Sequence, residues 1–256
     1  MKSPSEGPEG DPLVITRTEG KIEFRNVHFR YPGASEKALE GVSFTINPAE
    51  HVALLGRVGS GKSTVARLLL GLYEPEEGII LLDGTDIRQL DPISLRRKIG
   101  SAMQETLLLS GSVRENIVLE REGIDDEEMV RAAELSGTHQ FIGQIANGYD
   151  RKLADRGEGL SGGQRQSIAI ARALAGRPSV LVFDEPSSAM DNQTESGLLD
   201  RLGEELTGRT FLVITHRTPF LRLVNRVMIL DQGKLIADGP RDQILAKLNR
   251  PKVAAI

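Results

Sequence analysis

From Lys21 onward the chain alternates between two periods of apolar residues. "KIEFRNVHFRY" (21–31) alternates apolar and polar positions like a strand with one buried face, and "SFTINPAEHVALLG" (43–56) reads as two more strands broken at Pro48. The spacing then lengthens to that of a helix in "KSTVARLLLGLY" (62–73), and "GIILLDG" (78–84) returns to a short strand before a turn. "DPISLRRKIG" places Asp91 as a helix N-cap with Pro92 at the first helical position. "IDDEEMVRAAELSG" (124–137) gathers its acids in the first turn and closes on glycine, which predicts a helix with both ends marked. Beyond it, "SVLVFDE" (179–185) is an apolar strand, "QTESGLLDRLGEEL" (193–206) a helix and "TFLVITH" (210–216) another strand. "VMILDQGKLIADG" (227–239) is a hairpin turning at Gln232–Gly233. Strands alternating with helices predict an α/β fold with a mostly parallel sheet, and the opening run of strands predicts an antiparallel layer beside it. The first 20 residues, rich in Pro, Gly, Ser and Glu, have no periodicity and are expected to be a linker. No internal repeat is present.

Composition narrows the classes. The chain has 256 residues, enough for one large domain or two small ones, and 39% of them are apolar, enough to fill a core. Thirty-two basic against 36 acidic residues leave a net charge of −4, so no general attraction to nucleic acid or to a membrane surface follows. The absence of cysteine excludes disulfides and thiolate metal sites. Apolar runs such as "RLLLGLY" (67–73) are too short to cross a bilayer, and no signal peptide opens the chain, so a soluble protein or the soluble part of a larger one is expected.

The candidate chemistry begins at "GRVGSGKST" (56–64), which follows the apolar strand "HVALL" and precedes a helix. This is the strand–loop–helix setting of a phosphate-binding P-loop. Gly56, Arg57, Val58, Gly59, Ser60 and Gly61 supply backbone N–H groups. Lys62 supplies a compact positive charge for β- and γ-phosphates, Ser63 a hydroxyl for Mg²⁺, and Thr64 closes the motif. "VLVFDE" ends an apolar strand on two carboxylates: Asp184 is placed to orient Mg²⁺, and Glu185, one residue on, to face an attacking water as base. In "GLSGGQRQSIAIARAL" (159–174) glycine heads a helix whose N-terminal N–H groups form a second anion seat.

Leu160, Ser161, Gly162, Gly163 and Gln164, lying 96 residues beyond Thr64, resemble the signature motif of the ATP-binding cassette (ABC) ATPases. Further motifs of that family follow in order. Tyr31 in "FRYPG" resembles the aromatic that stacks on adenine, and Gln104 in "SAMQE" the Q-loop glutamine. "SSAMD", with Ser188, Ala189, Met190 and Asp191, resembles the D-loop, and His216 in "VITH" the switch histidine. The resemblance covers Lys21 to about Leu248. It implies a P-loop NTPase (RecA-like) core with a mostly parallel sheet, an antiparallel β subdomain and an α-helical signature subdomain at about 105–176, followed by a tail at 249–256. It further implies that ATP and Mg²⁺ are bound, with Gln104 also on the metal. Glu185, His216 and Lys62 carry hydrolysis, and two copies close head to tail on ATP, the signature of each covering the cradle of the other.

"LLLSGSVRENIVL" (107–119) and "ADRGEGLSGGQRQSIAIARAL" (154–174) resemble the exporter branch, with Ala154 and Asp155 where Gly and Glu are usual and Val58 where Thr or Ser is usual. That branch implies a transmembrane domain as partner, the cytoplasmic face of the bacterial inner membrane as location, and no nucleic acid partner. Within it the signature segment resembles type I protein secretion, with an exported protein and secretion accessory proteins as further partners. Lipid or drug export stands as the alternative, as does a soluble ABC ATPase acting on DNA or ribosomes. Against the latter, only 55 residues separate Gln104 from Leu160, with no heptad run for a coiled coil.

Overall fold

The computed structural model describes residues 12–248; the first 11 residues of the expected linker and the expected tail lie outside them. Strands β1 (Ile22–Phe29) and β2 (Leu39–Ile46) pair antiparallel, and β3 (His51–Leu55) enters a different sheet after the turn at Pro48. Helix α1 (Lys62–Leu69) follows the glycine-rich loop and stops before Gly71, whose φ of 63° ends it short of the expected Tyr73. Next come β4 (Glu77–Leu82) and β5 (Thr85–Asp86), then α2 (Pro92–Lys98), whose N-cap Asp91 accepts from the Ser94 N–H, and β6 (Ile99–Ala102). The helical part holds β7 (Gly111–Ser112), α3 (Val113–Val118), α4 (Asp126–Ser136), α5 (Thr138–Ile142), β8 (Lys152–Leu153) and α6 (Gly162–Leu174). The chain returns through β9 (Val180–Asp184), α7 (Asn192–Glu205), β10 (Thr210–Ile214), β11 (Arg226–Asp231), β12 (Lys234–Pro240) and α8 (Arg241–Leu248).

Two sheets organise these elements. The central one runs β12-β11-β3-β10-β9-β6, parallel except for the β11–β12 hairpin. The second, β2-β1-β4-β5, is antiparallel throughout. Alternation along the central strands sorts their side chains between two cores. Val52, Leu54, Val180, Val182, Leu212 and Ile214 pack with α1 and the antiparallel sheet. Ala53, Leu181, Phe183, Phe211 and Val213 face α6, α7 and the helical subdomain. Both faces are covered, so these strands read as continuous apolar runs. Helix α6 is buried almost all round, from Ile168 to Leu174, as befits a helix between the sheet and α4.

Residues 13–20, expected as linker, run along the domain. Leu13 bridges to Leu90, and the Asp83 carboxylate accepts from the N–H groups of Glu19, Gly20 and Lys21 at 2.7–3.0 Å. Thr210 Oγ1 donates to the Gly20 carbonyl at 2.8 Å. Among the described residues no helix is long and apolar enough to cross a membrane.

Candidate nucleotide site

The candidate site side chains share the carboxyl edge of the parallel strands, where an open α/β sheet places its ligands. The glycine-rich loop leaves the end of β3, His216 follows β10, Asp184 closes β9, and Gln104 lies just past β6, exposed. Because the order is β3-β10-β9-β6, these four ends stand side by side.

The cradle depends on two glycines. Gly61, the N-cap of α1, has φ 99°, and a Cβ there would fall on the Ala38 carbonyl oxygen; at Gly56 a Cβ would collide with the Leu230 carbonyl. The loop therefore wraps tightly between β2 and β11 and presents its tip outward, with Arg57, Val58 and Gly59 exposed. Lys62 Nζ donates to the carbonyls of Gly56 at 2.9 Å and Arg57 at 2.8 Å, so its ammonium lies within the loop's curl. Burial holds it below the usual lysine range, although Glu185 and Asp184 pull the other way. Tyr31 is anchored beside the same helix. Its hydroxyl meets Thr64 Oγ1 at 3.0 Å and accepts from Arg67 at 2.9 Å, while Phe29 and Tyr73 pack edge-on against its ring.

Asp184 is 1% exposed, and neither carboxylate oxygen is closed off by a hydrogen-bond partner. Burial raises its pKa, opposed by the nearby Ser63 hydroxyl. A buried carboxylate whose oxygens lack a hydrogen-bond partner is costly, and a cation bound there would offset that cost. Ser63 and Asp184 thus form a hard-oxygen donor set that fits Mg²⁺.

Glu185 leaves the strand with φ 48°, a left-handed conformation unfavourable for a side chain of this size. Its backbone N–H donates to the Ile214 carbonyl at 2.8 Å. Its side chain accepts from His216 Nδ1 at 2.7 Å and from Thr215 Oγ1 at 3.3 Å. The candidate base and the switch histidine are therefore in direct contact, the histidine side chain largely exposed and the carboxylate largely covered.

The signature lies elsewhere. Ser161 caps α6 in a reciprocal box: its hydroxyl accepts from the Gln164 N–H at 3.2 Å, and the Gln164 side chain accepts from the Ser161 N–H at 2.9 Å. A hollow of about 340 Å³ beside it is lined by α5, by Ser161, Gly163 and Gln164, and by Ala189, Met190 and Asp191, with no residue of the cradle. The glycines have a packing reason within the chain, whatever they bind. A Cβ on Gly162 would lie 3.0 Å from the Ala189 side chain and one on Gly163 3.1 Å from the Ala189 carbonyl, so bulkier residues would push the D-loop away. Leu160 is buried in the core, while Ser188 and Ala189 are exposed, Met190 is buried, and Asp191 caps α7 by accepting from Thr194.

Three supports escaped sequence reasoning. Arg217 donates to the Ser187 carbonyl at 2.6 Å and pairs with the buried Glu195 at 3.0 Å, framing the D-loop from behind. Arg172 donates to the carbonyls of Leu107 and Asn116, and Asn116 in turn clamps the backbone of Leu109, so the segment after the Q-loop is pinned to α6. Burial brings the Arg172 guanidinium down to about 10. Gln166 binds the peptide of Glu185. The available signal was a polar residue interrupting an apolar helical stripe, and an arginine directly after the switch histidine.

Comparison with known proteins gives the same answer as this geometry. Residues 39–188 match the family described as ABC transporter. The chain is 39% identical over 249 residues to the toxin RTX-I translocation ATP-binding protein of Actinobacillus pleuropneumoniae, covering 97% of this chain and 35% of that protein. It is also 39% identical over 245 residues to the leukotoxin export ATP-binding protein of Aggregatibacter actinomycetemcomitans, covering 96% and 34%. The chain thus spans about a third of the length of the curated relatives it matches. The structure of a bacterial Atm1-family ABC exporter with ATP bound superposes with a TM-score of 0.86 at 36% identity, over 96% of this chain and 42% of that one. The match across residues 39–188, on a fold that superposes over nearly its whole length with a solved relative 36% identical to it, shows that the chain belongs to the ABC transporter family.

Proposed function

We propose that this chain is the ATP-hydrolysing part of an exporter, and that two copies close head to tail around two ATP molecules to drive transport. The observation that carries the reading is the separation of the two phosphate seats. Lys62, Ser63, Asp184, Glu185 and His216 converge at one edge of the sheet, whereas Ser161 and Gly163 border a hollow that contains no cradle residue. A seat that does not serve its own cradle is complementary to the cradle of a second copy, and a two-fold pair satisfies both.

In that arrangement the loop N–H groups and Lys62 hold the β- and γ-phosphates, and Tyr31 presents its ring beside the adenine. Ser63, Asp184 and Gln104 would hold Mg²⁺, which supplies charge neutralisation at the phosphate oxygens. Glu185 takes the proton of the attacking water, and His216, held on its carboxylate, fixes the base and reaches the γ-phosphate. Ser161 and the N–H groups of Gly162 and Gly163 contact the terminal phosphate from the second subunit, while Ser188 to Asp191 run between the two sites. Loss of the γ-phosphate removes the shared contact and opens the pair.

An apolar groove of about 440 Å³ between α2, β6 and the turn after α3 supports a transmembrane partner. Leu72, Ile93 and Met103 line it, and Leu72 and Ile93 are about half exposed or more. Docked there, the chain sits at the cytoplasmic face of the bacterial inner membrane. The toxin and leukotoxin translocation proteins among its relatives favour an exported protein, with secretion accessory proteins, as cargo and partners.

Sedimentation of wild type and Glu185→Gln with Mg-ATP tests the reading. The variant is expected to bind ATP, sediment as a dimer and turn over at least 100-fold more slowly, the scale set by loss of a general base. A monomer under saturating Mg-ATP, or turnover near wild type, refutes it.

A further inference from the structure

The geometry points to Gln166 as the positioning residue that ties the catalytic carboxylate of one nucleotide site to the signature seat of the other. The inference rests on the head-to-tail reading above and adds a residue to it.

Gln166 lies on α6 one turn beyond Gly162, is 3% exposed and uses its whole amide. Its Nε2 donates to the Glu185 backbone carbonyl at 2.8 Å and to Ser188 Oγ at 3.3 Å. Its Oε1 accepts from the Ala189 N–H at 3.1 Å. Three features make these bonds more than core satisfaction. Glu185 holds a left-handed φ of 48°, a conformation that persists only when its neighbours over-determine it, and its carbonyl is one of the two backbone groups bonded there. The bonds to Ser188 and Ala189 set the first turn of the D-loop. There is no room for a Cβ between Gly162 or Gly163 and Ala189, so the D-loop packs close to the signature and a shift of one bears on the other.

One side chain thereby joins three parts of the chain into a single rigid unit: the base, the D-loop and the N-terminus of α6. In the closed pair the base belongs to the near site and the α6 N-terminus to the far one. Engagement of the far γ-phosphate by Ser161 is then transmitted through α6 and Gln166 to the peptide of Glu185. The consequence is cooperative hydrolysis, each base being set by closure of the opposite site.

The test compares wild type with Gln166→Met, which keeps the volume and loses all three hydrogen bonds, and with Gln166→Glu, which still accepts from Ala189 but cannot donate to Glu185 as a carboxylate. Steady-state ATPase rates against ATP concentration are read with thermal midpoints and the affinity of the monomer for Mg-ADP. Gln166→Met is expected to lower kcat about ten-fold or more, to bring the Hill coefficient towards one, and to leave Mg-ADP affinity within about two-fold; Gln166→Glu is expected to fall at least as far. Wild-type kcat and cooperativity in Gln166→Met overturn the inference, as does a fall in Mg-ADP affinity and thermal midpoint parallel to the fall in kcat, which marks a structural role only. A wild type that neither hydrolyses ATP nor pairs on it sinks the proposed function instead, so the two failures are distinguishable.

Discussion

Replacing Arg217 with Met removes the cation from a buried pair and isolates what holds the D-loop. Glu195 has a side chain 3% exposed, with Arg217 at 3.0 Å and the Ser187 hydroxyl as its partners. Losing the arginine leaves a buried carboxylate on one neutral donor, which costs about 3–5 kcal/mol. At about 2–4 °C per kcal/mol for a domain of this size, the melting midpoint should fall by roughly 6–20 °C. Arg217→Met/Glu195→Leu removes both charges and fills the space, and should return to within about 1–2 kcal/mol of wild type. Stability and function should then separate. The Ser187 and Met190 carbonyls, which accept from Arg217 at 2.6 and 3.5 Å, remain without their donor in the double variant. Its ATPase rate should stay low although its fold is restored. Urea unfolding of the four members of the cycle, with kcat on each, is the assay. A single variant costing less than about 1 kcal/mol, or a double variant no more stable than either single, refutes the account of a buried ion pair framing the D-loop.

Glu128 in α4 gives a pH prediction. Burial opposes its ionisation, but hydrogen bonds from Arg131 and Arg177 and the Gly176 N–H overcome this and bring its carboxyl down to about 2. The folded value lies below the unfolded one, so its stabilisation is present above about pH 4.5 and is lost as pH falls towards 2. Because Arg177 is largely exposed and screened, the contribution is about 1–2 kcal/mol. Wild type and Glu128→Gln should differ by that amount in urea unfolding at neutral pH and converge near pH 2; a constant difference counts against it. Lys62→Ala should weaken Mg-ATP binding by about ten-fold or more through loss of a charge-assisted phosphate contact, read by equilibrium dialysis; unchanged affinity removes Lys62 from the cradle.

Motifs on short contiguous stretches are legible in the order of residues itself. The P-loop, the signature, Asp184 with Glu185, and the hairpin at Gln232–Gly233 each express a local rule: a tight turn, a cap, a strand end or a left-handed pair. The α/β class follows from alternating periods, and the strand runs are apolar on both faces because the central sheet is covered on both. Docking of residues 13–20 is not legible, because their contacts with Asp83, Leu90 and Thr210 join their backbone to groups 63–190 positions away, which no local pattern encodes. The supports of the site are hidden for the same reason. Gln166, Arg217 and Arg172 act on backbone carbonyls, and any residue type supplies a carbonyl, so the sequence of the acceptor carries no mark.

The sequence alone determined which residue types stand together at each candidate seat, because phosphate, metal and proton transfer need particular residue types at fixed short spacing. The tertiary structure decided what those seats have to do with one another. Strand order set the cradle, the histidine and the carboxylates side by side, and α6 carried the signature to a hollow with no cradle residue. The bonds of Gln166 to Glu185 and Ala189, with no room for a Cβ on Gly162 or Gly163 beside Ala189, tie the signature helix to the D-loop. Those relations arise from long-range packing around two cores, and sequence order records only that the parts exist.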